Sequence, residues 1–181
     1  MDATIATFLI QDGVTNGAIY ALLGLALVLV FAVTRIIFIP QGEFVAYGAL
    51  SLALLDSGKI PGTAPMLIAF GAAAMVLDLW DMRRGFALPS LLRALLINIV
   101  LPMAIYALVA LVAPLQLPAL LRAAMAIIII APMGYYIYRI VYRPLVDASV
   151  LMLLIASIGV HLFMMGLGLI FFGPEGLRAK P

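Results

Sequence analysis

Long apolar runs dominate the chain, and charged residues punctuate them only at intervals. The first run, residues 13–34, holds no charged residue. At about 1.5 Å per residue it is long enough as a helix to cross the ~30 Å hydrocarbon core of a bilayer. Five more runs follow, at residues 36–55, 60–77, 94–113, 123–138 and 148–172. The third and fifth complete a crossing only with flanking interfacial residues such as Trp80 or Tyr142. The pattern predicts an all-α polytopic transmembrane helix bundle with about six crossings. Residues 1–181 form a single transmembrane region, with no soluble domain and no internal repeat.

Small residues give some of these runs a face for close packing. Gly13, Gly17, Ala21 and Gly24 recur at spacings of four, four and three, so one side of the first helix lets another backbone approach. Gly159, with Ala156, Ser157 and Gly166, does the same in the last run.

Composition agrees with the pattern. Hydrophobic residues make up 67% of the chain and charged residues 10%, against about 25% charged in a soluble domain. A net charge of +2, scattered over loops, argues against nucleic acid as a partner and leaves the lipid bilayer as the surroundings. With no cysteine there is no disulfide framework or thiolate metal site. The first residues lack a basic region followed by a cleavable apolar core, so they read as mature sequence. Arg35, Arg83, Arg84, Arg93, Arg139 and Arg143 fall on one side of a six-crossing chain; Lys59, Arg122, Arg178 and Lys180 fall on the other. The positive-inside rule then puts the N-terminus outside and residues 78–93 and 139–147 in the cytoplasm. Residues 78–93 read as a partly amphipathic stretch along the inner surface. Arg122, the main exception, is expected to snorkel to the outer interface.

The second run is the one with unusual chemistry. Residues 44–55 alone are too short to span, so a crossing must include Pro40, Gln41, Gly42 and Glu43. Proline removes a backbone donor, and irregular backbone at membrane depth is tolerated only inside protein or along a wet cavity. Two readings stand side by side. Either the segment is a broken helix of the kind found at transport sites, with Glu43 a costly intramembrane carboxylate, or it is an interfacial loop with Glu43 at a helix N-terminus. His161, the single histidine, lies inside the uncharged last run. It suits a proton relay or a polar contact to substrate, and the plainer reading is a neutral imidazole bonded to a neighbouring helix. Asn98 and Pro102 predict an interhelical hydrogen bond and a kink. Tyr135, Tyr136, Tyr138 and Tyr142 read as an interfacial aromatic belt. No nucleophile–base constellation, carboxylate pair, metal cluster or phosphate-binding loop is present, so an enzyme is not expected and no cofactor is implied.

Two stretches resemble the permease subunits of bacterial branched-chain amino acid ABC transporters. One is GVTNGAIYALLGLALVLVF, residues 13–31, followed by Gln41-Gly42-Glu43-Phe44. The other is YRPLVDASVLMLLIASIGV, residues 142–160, ending in FFGPEG at residues 171–176. In that family a Gly-rich first helix runs into an Asn-Phe-Ala-His-Gly-Glu-like segment, and here Gln41 stands where the family has its His. The family joins its two stretches through one loop and one helix, whereas residues 60–117 here read as an insertion of two extra hydrophobic segments. Family members also continue past the Phe-Gly-Pro exit with further helices and a loop that docks the ATPase. The chain therefore resembles the N-terminal portion of a longer permease. The resemblance implies a bacterial inner-membrane, multi-pass permease component for branched-chain or related amino acids. Its partners would be a second permease subunit, cytoplasmic ATP-binding subunits and a periplasmic substrate-binding protein. Gln41, Gly42, Glu43 and His161 are the candidate residues of the translocation path. A secondary transporter or channel subunit, and a non-transporting structural membrane subunit, are the rival classes.

Overall fold

The computed structural model describes residues 3–83, 88–115 and 117–173. Every regular element among them is helical: α1 (Ala3–Thr34), α2 (Gln41–Asp56), α3 (Thr63–Met82), α4 (Leu88–Leu95), α5 (Leu101–Val112), α6 (Ala119–Ile137) and α7 (Val150–Phe172). A π turn, Leu96–Val100, joins α4 to α5, and a second, Tyr138–Tyr142, extends α6.

Each π turn lies just before a proline, Pro102 or Pro144. A proline has no N–H to give the carbonyl four residues earlier, and its ring crowds that carbonyl. Widening the turn relieves the clash. The carbonyl so relieved in the first turn is that of Asn98. It packs against Gly71 of α3 so closely that a Cβ there would lie 2.2 Å from the oxygen. Gly71 is therefore a glycine on which a helix contact depends, as is Gly62, where a Cβ would lie 2.6 Å from the Phe171 carbonyl oxygen of α7.

Five helices are long and apolar enough to cross a membrane: residues Thr4–Thr34, Thr63–Met82, Leu88–Leu115, Ala119–Leu145 and Val150–Phe172. The expected count of about six crossings is corrected here. Residues 36–40 are not helical, so the second run yields only α2, 16 residues or roughly 24 Å. Residues 78–93 are also redrawn. α3 continues through Asp78 to Met82, and α4 starts at Leu88 as the first part of a spanning helix, so no described part of this stretch is a separate surface helix. Residues 84–87, with Arg84, lie outside the described residues, as do Arg178 and Lys180.

The core forms where α2, α3, α6 and α7 meet. Met66, Leu67, Ile129, Met133, Tyr136 and Met164 are fully buried there. α3 is the most buried of the spanning helices, so the 60–117 stretch supplies part of the core. α1 stands apart, with none of its span buried. The close packing expected at Gly13, Gly17 and Gly24 is absent within this chain, because a Cβ at each would meet open space. The same holds for Gly159, although Ser157 two residues earlier is buried against the bundle.

Candidate functional site

The start of α2 is built from the chain break before it. Arg35 ends α1 in a left-handed conformation at φ 59°, and its N–H bonds the Phe31 carbonyl at 2.8 Å. The chain then runs irregularly to Pro40, which is fully buried and occupies the N-cap of α2. Buried irregular backbone is what a membrane tolerates only against protein. Gln41, Gly42 and Glu43 are the first three residues of the helix, so the expected interruption falls before α2 and does not divide it.

Glu43 faces α7. Its Oε1 lies 2.8 Å from Nδ1 of His161, with side chains 14% and 32% exposed respectively. His161 is the twelfth residue of the 23-residue α7, roughly 17 Å in from its start, so the two polar groups meet near the middle of a spanning helix. With both ring nitrogens protonated this contact is an ion pair. Nδ1 has no aligned hydrogen-bond partner, and the other carboxylate oxygen, Oε2, is buried without one among the described residues. The pair therefore keeps unused donor and acceptor capacity, which a buried polar site does not normally leave.

The surroundings hold α2 parallel to α7. The Tyr47 hydroxyl donates to the Met164 carbonyl, and its ring stacks at 5.8 Å on Phe172. Phe38 packs on Phe44 at 5.5 Å and edge-on to Tyr142 at 6.0 Å, while the Tyr142 hydroxyl is bonded to Ser157 at 2.8 Å. The two stretches singled out in the sequence, residues 38–44 and 142–161, thus converge. Of the expected path residues, Glu43 and His161 are brought together. Gln41 is half-buried beside them, while Gly42 is exposed, with open space where a Cβ would stand.

A second polar cluster was not singled out in the sequence. Asp78, 5% exposed, accepts from Arg139 and from Asn98 Nδ2, the latter at 2.7 Å. Arg139 also donates to the Tyr135 hydroxyl at 2.8 Å, and the Tyr136 hydroxyl donates to the Ile97 carbonyl at 2.6 Å. The interhelical bond expected of Asn98 is present. The tyrosines divide: Tyr136 and Tyr142 are buried and hydrogen-bonded to other parts of the chain, and of the four only Tyr135 and Tyr138 are exposed as a belt would be. Arg122 does not snorkel alone; it pairs with Asp56 at 2.7 Å. Asp78 was hidden because it falls where the apolar run ends, which reads as the start of a loop.

No family model, curated protein or solved structure matches the chain.

Proposed function

We propose that this chain is the membrane-spanning permease component of a bacterial inner-membrane ABC importer for branched-chain or related amino acids, with Glu43 and His161 on the translocation path. The observation that carries the reading is the meeting of Glu43 and His161 halfway along α7. An intramembrane carboxylate is costly, and such residues mark substrate or ion pathways. Support also comes from the convergence of the two permease-like stretches on this pair. A carboxylate accepts hydrogen bonds from an α-ammonium group, and an imidazole can donate to an α-carboxylate, so the pair suits a zwitterionic solute. A second permease subunit, ATP-binding subunits and a periplasmic binding protein complete the transporter. No resident cofactor and no catalytic residue are part of the proposal.

A second reading has its own observation. Glu43–His161 and Asp78–Arg139 are two acid–base pairs on apolar helices, the feature expected of an ion-coupled secondary transporter. One experiment separates the two. Uptake of labelled leucine is measured in vesicles carrying the chain with its second permease subunit, ATPase and binding protein. Glu43→Ala and His161→Ala should each cut uptake roughly tenfold or more, about 1.4 kcal/mol, with membrane insertion unchanged. Uptake that persists without the ATPase and collapses with a protonophore favours the secondary transporter. Parental uptake in both variants removes the pair from the path.

A further inference from the structure

A cavity of about 470 Å³ opens where the end of α3, α4 and the two π turns come together. Three arginines, Arg93, Arg139 and Arg143, face it, against two carboxylates, Asp78 and Asp81. The charges are not all available. Asp78 is occupied by Arg139 and Asn98, which leaves Asp81 as the remaining acid. Arg93 and Arg143 are exposed to the cavity, and neither has a carboxylate at ion-pair distance among the described residues. The lining therefore carries a net positive charge borne by guanidinium groups.

The cavity also has a neutral donor. The Tyr135 oxygen accepts from Arg139, so its own hydrogen is left to give. Ala94 and Ile97 add an apolar wall. Both π turns border this space, and their widened backbone places Ile97 and Arg139 on it; π turns of this kind recur at functional sites.

The position decides which anion fits. Trp80, Tyr135 and Tyr138 are exposed at this end of the bundle, the signature of headgroup depth. Phosphate esters are the concentrated anions there, and a planar guanidinium matches a phosphate with paired hydrogen bonds. Basic pockets between membrane helices bind phosphorylated headgroups on this principle. We propose that this cavity binds the phosphate of a phosphate ester through Arg93 and Arg143, with Tyr135 as a third donor. The same chemistry could be presented by a lipid headgroup or by a soluble phosphate ester.

Native mass spectrometry of the full chain in detergent tests this with three probes: short-chain phosphatidylglycerol, glycerol phosphate, and a diacylglycerol with the same acyl chains and no phosphate. Saturable one-site binding of the phospholipid alone identifies a headgroup site; equally tight binding of glycerol phosphate identifies a soluble ester. The diacylglycerol should show no saturable binding. Arg93→Gln with Arg143→Gln should weaken binding roughly tenfold or more, and Arg143→Lys, which keeps the charge but loses the paired geometry, should weaken it less. Arg122→Gln, at the other end of the bundle, should bind as the parent does. Circular dichroism identifies any variant that fails to fold, and Tyr135→Phe, expected to weaken binding a few-fold, gives a milder second reading. Failure of both phosphate probes to saturate, equal binding of the diacylglycerol, or parental binding by the folded arginine variants would overturn the proposal.

Discussion

Asp78 and Arg139 show what a single charged residue costs inside an apolar bundle. Asp78 is almost fully enclosed, and Arg139 and Asn98 together occupy its carboxylate. Removing one partner strands the other charge, so Asp78→Ala should lose roughly 3 kcal/mol. The double change Asp78→Ala with Arg139→Ala should recover part of that loss, because no charge remains unpaired. Unfolding of the purified variants in denaturing detergent reads both values, and strictly additive losses would mean the pair is not coupled. Glycines invite a similar contrast. Gly71→Ala drives a Cβ into the Asn98 carbonyl and should destabilise by more than about 2 kcal/mol, whereas Gly24→Ala and Gly159→Ala should stay within about 0.5 kcal/mol. Gly42→Leu, with open space at its Cβ, should insert and fold like the parent. Sequence spacing pointed to Gly13, Gly17, Gly24 and Gly159 as packing residues. A small face shows that a backbone can approach, and only the tertiary arrangement shows whether one does. The signal at Gly71 was present in the run Gly71-Ala72-Ala73-Ala74, but such runs are common in membrane helices.

At the scale of elements, α1 and α2 carry opposite lessons. The apolar run of α1 was easy to read: the uncharged part begins at Gly13, an earlier start near Ile5 was open, and the helix starts at Ala3. It contributes nothing to the core. A chain beginning at Arg35 should therefore keep the thermal midpoint of the whole protein within a few degrees, and a large drop would show that α1 packs on the bundle after all. For α2, length and the Pro-Gln-Gly-Glu sequence correctly identified an irregularity, but not its place. Proline is well tolerated just ahead of a helix, so the chain breaks before Gln41 and leaves Glu43 in the first turn, where the helix dipole favours a carboxylate. The two π turns could be anticipated only in part. Pro102 and Pro144 mark where hydrogen bonds fail, while the widening that answers the failure depends on neighbours such as Gly71.

Across the whole molecule, the helical, membrane-spanning character was legible because hydrophobic runs of this length have few other uses. The meeting of Glu43 with His161 was not, since 117 residues separate them and no periodicity links the two helices. Each residue could be singled out as an expensive polar group in an apolar run, but their partnership is a property of the fold. Chain direction through the bundle places Ser57 at one end and Ser90 and Ser149 at the other. In this cysteine-free chain, Ser57→Cys should react with an impermeant thiol reagent from the opposite face to Ser90→Cys and Ser149→Cys; labelling of all three from one face would reverse the path of α3. α2 and α7 pair inside the membrane through Glu43 and His161. The pairing is tested by changing both to cysteine, treating intact membranes with a short bis-methanethiosulfonate, which forms a disulfide with each thiol and releases sulfinate, and sequencing the joined peptides by mass spectrometry. An efficient cross-link is expected in Glu43→Cys with His161→Cys and none in a control pairing Gly17→Cys with His161→Cys. A cross-link in the control, or none in the Glu43–His161 pair with both thiols reactive, would contradict the pairing.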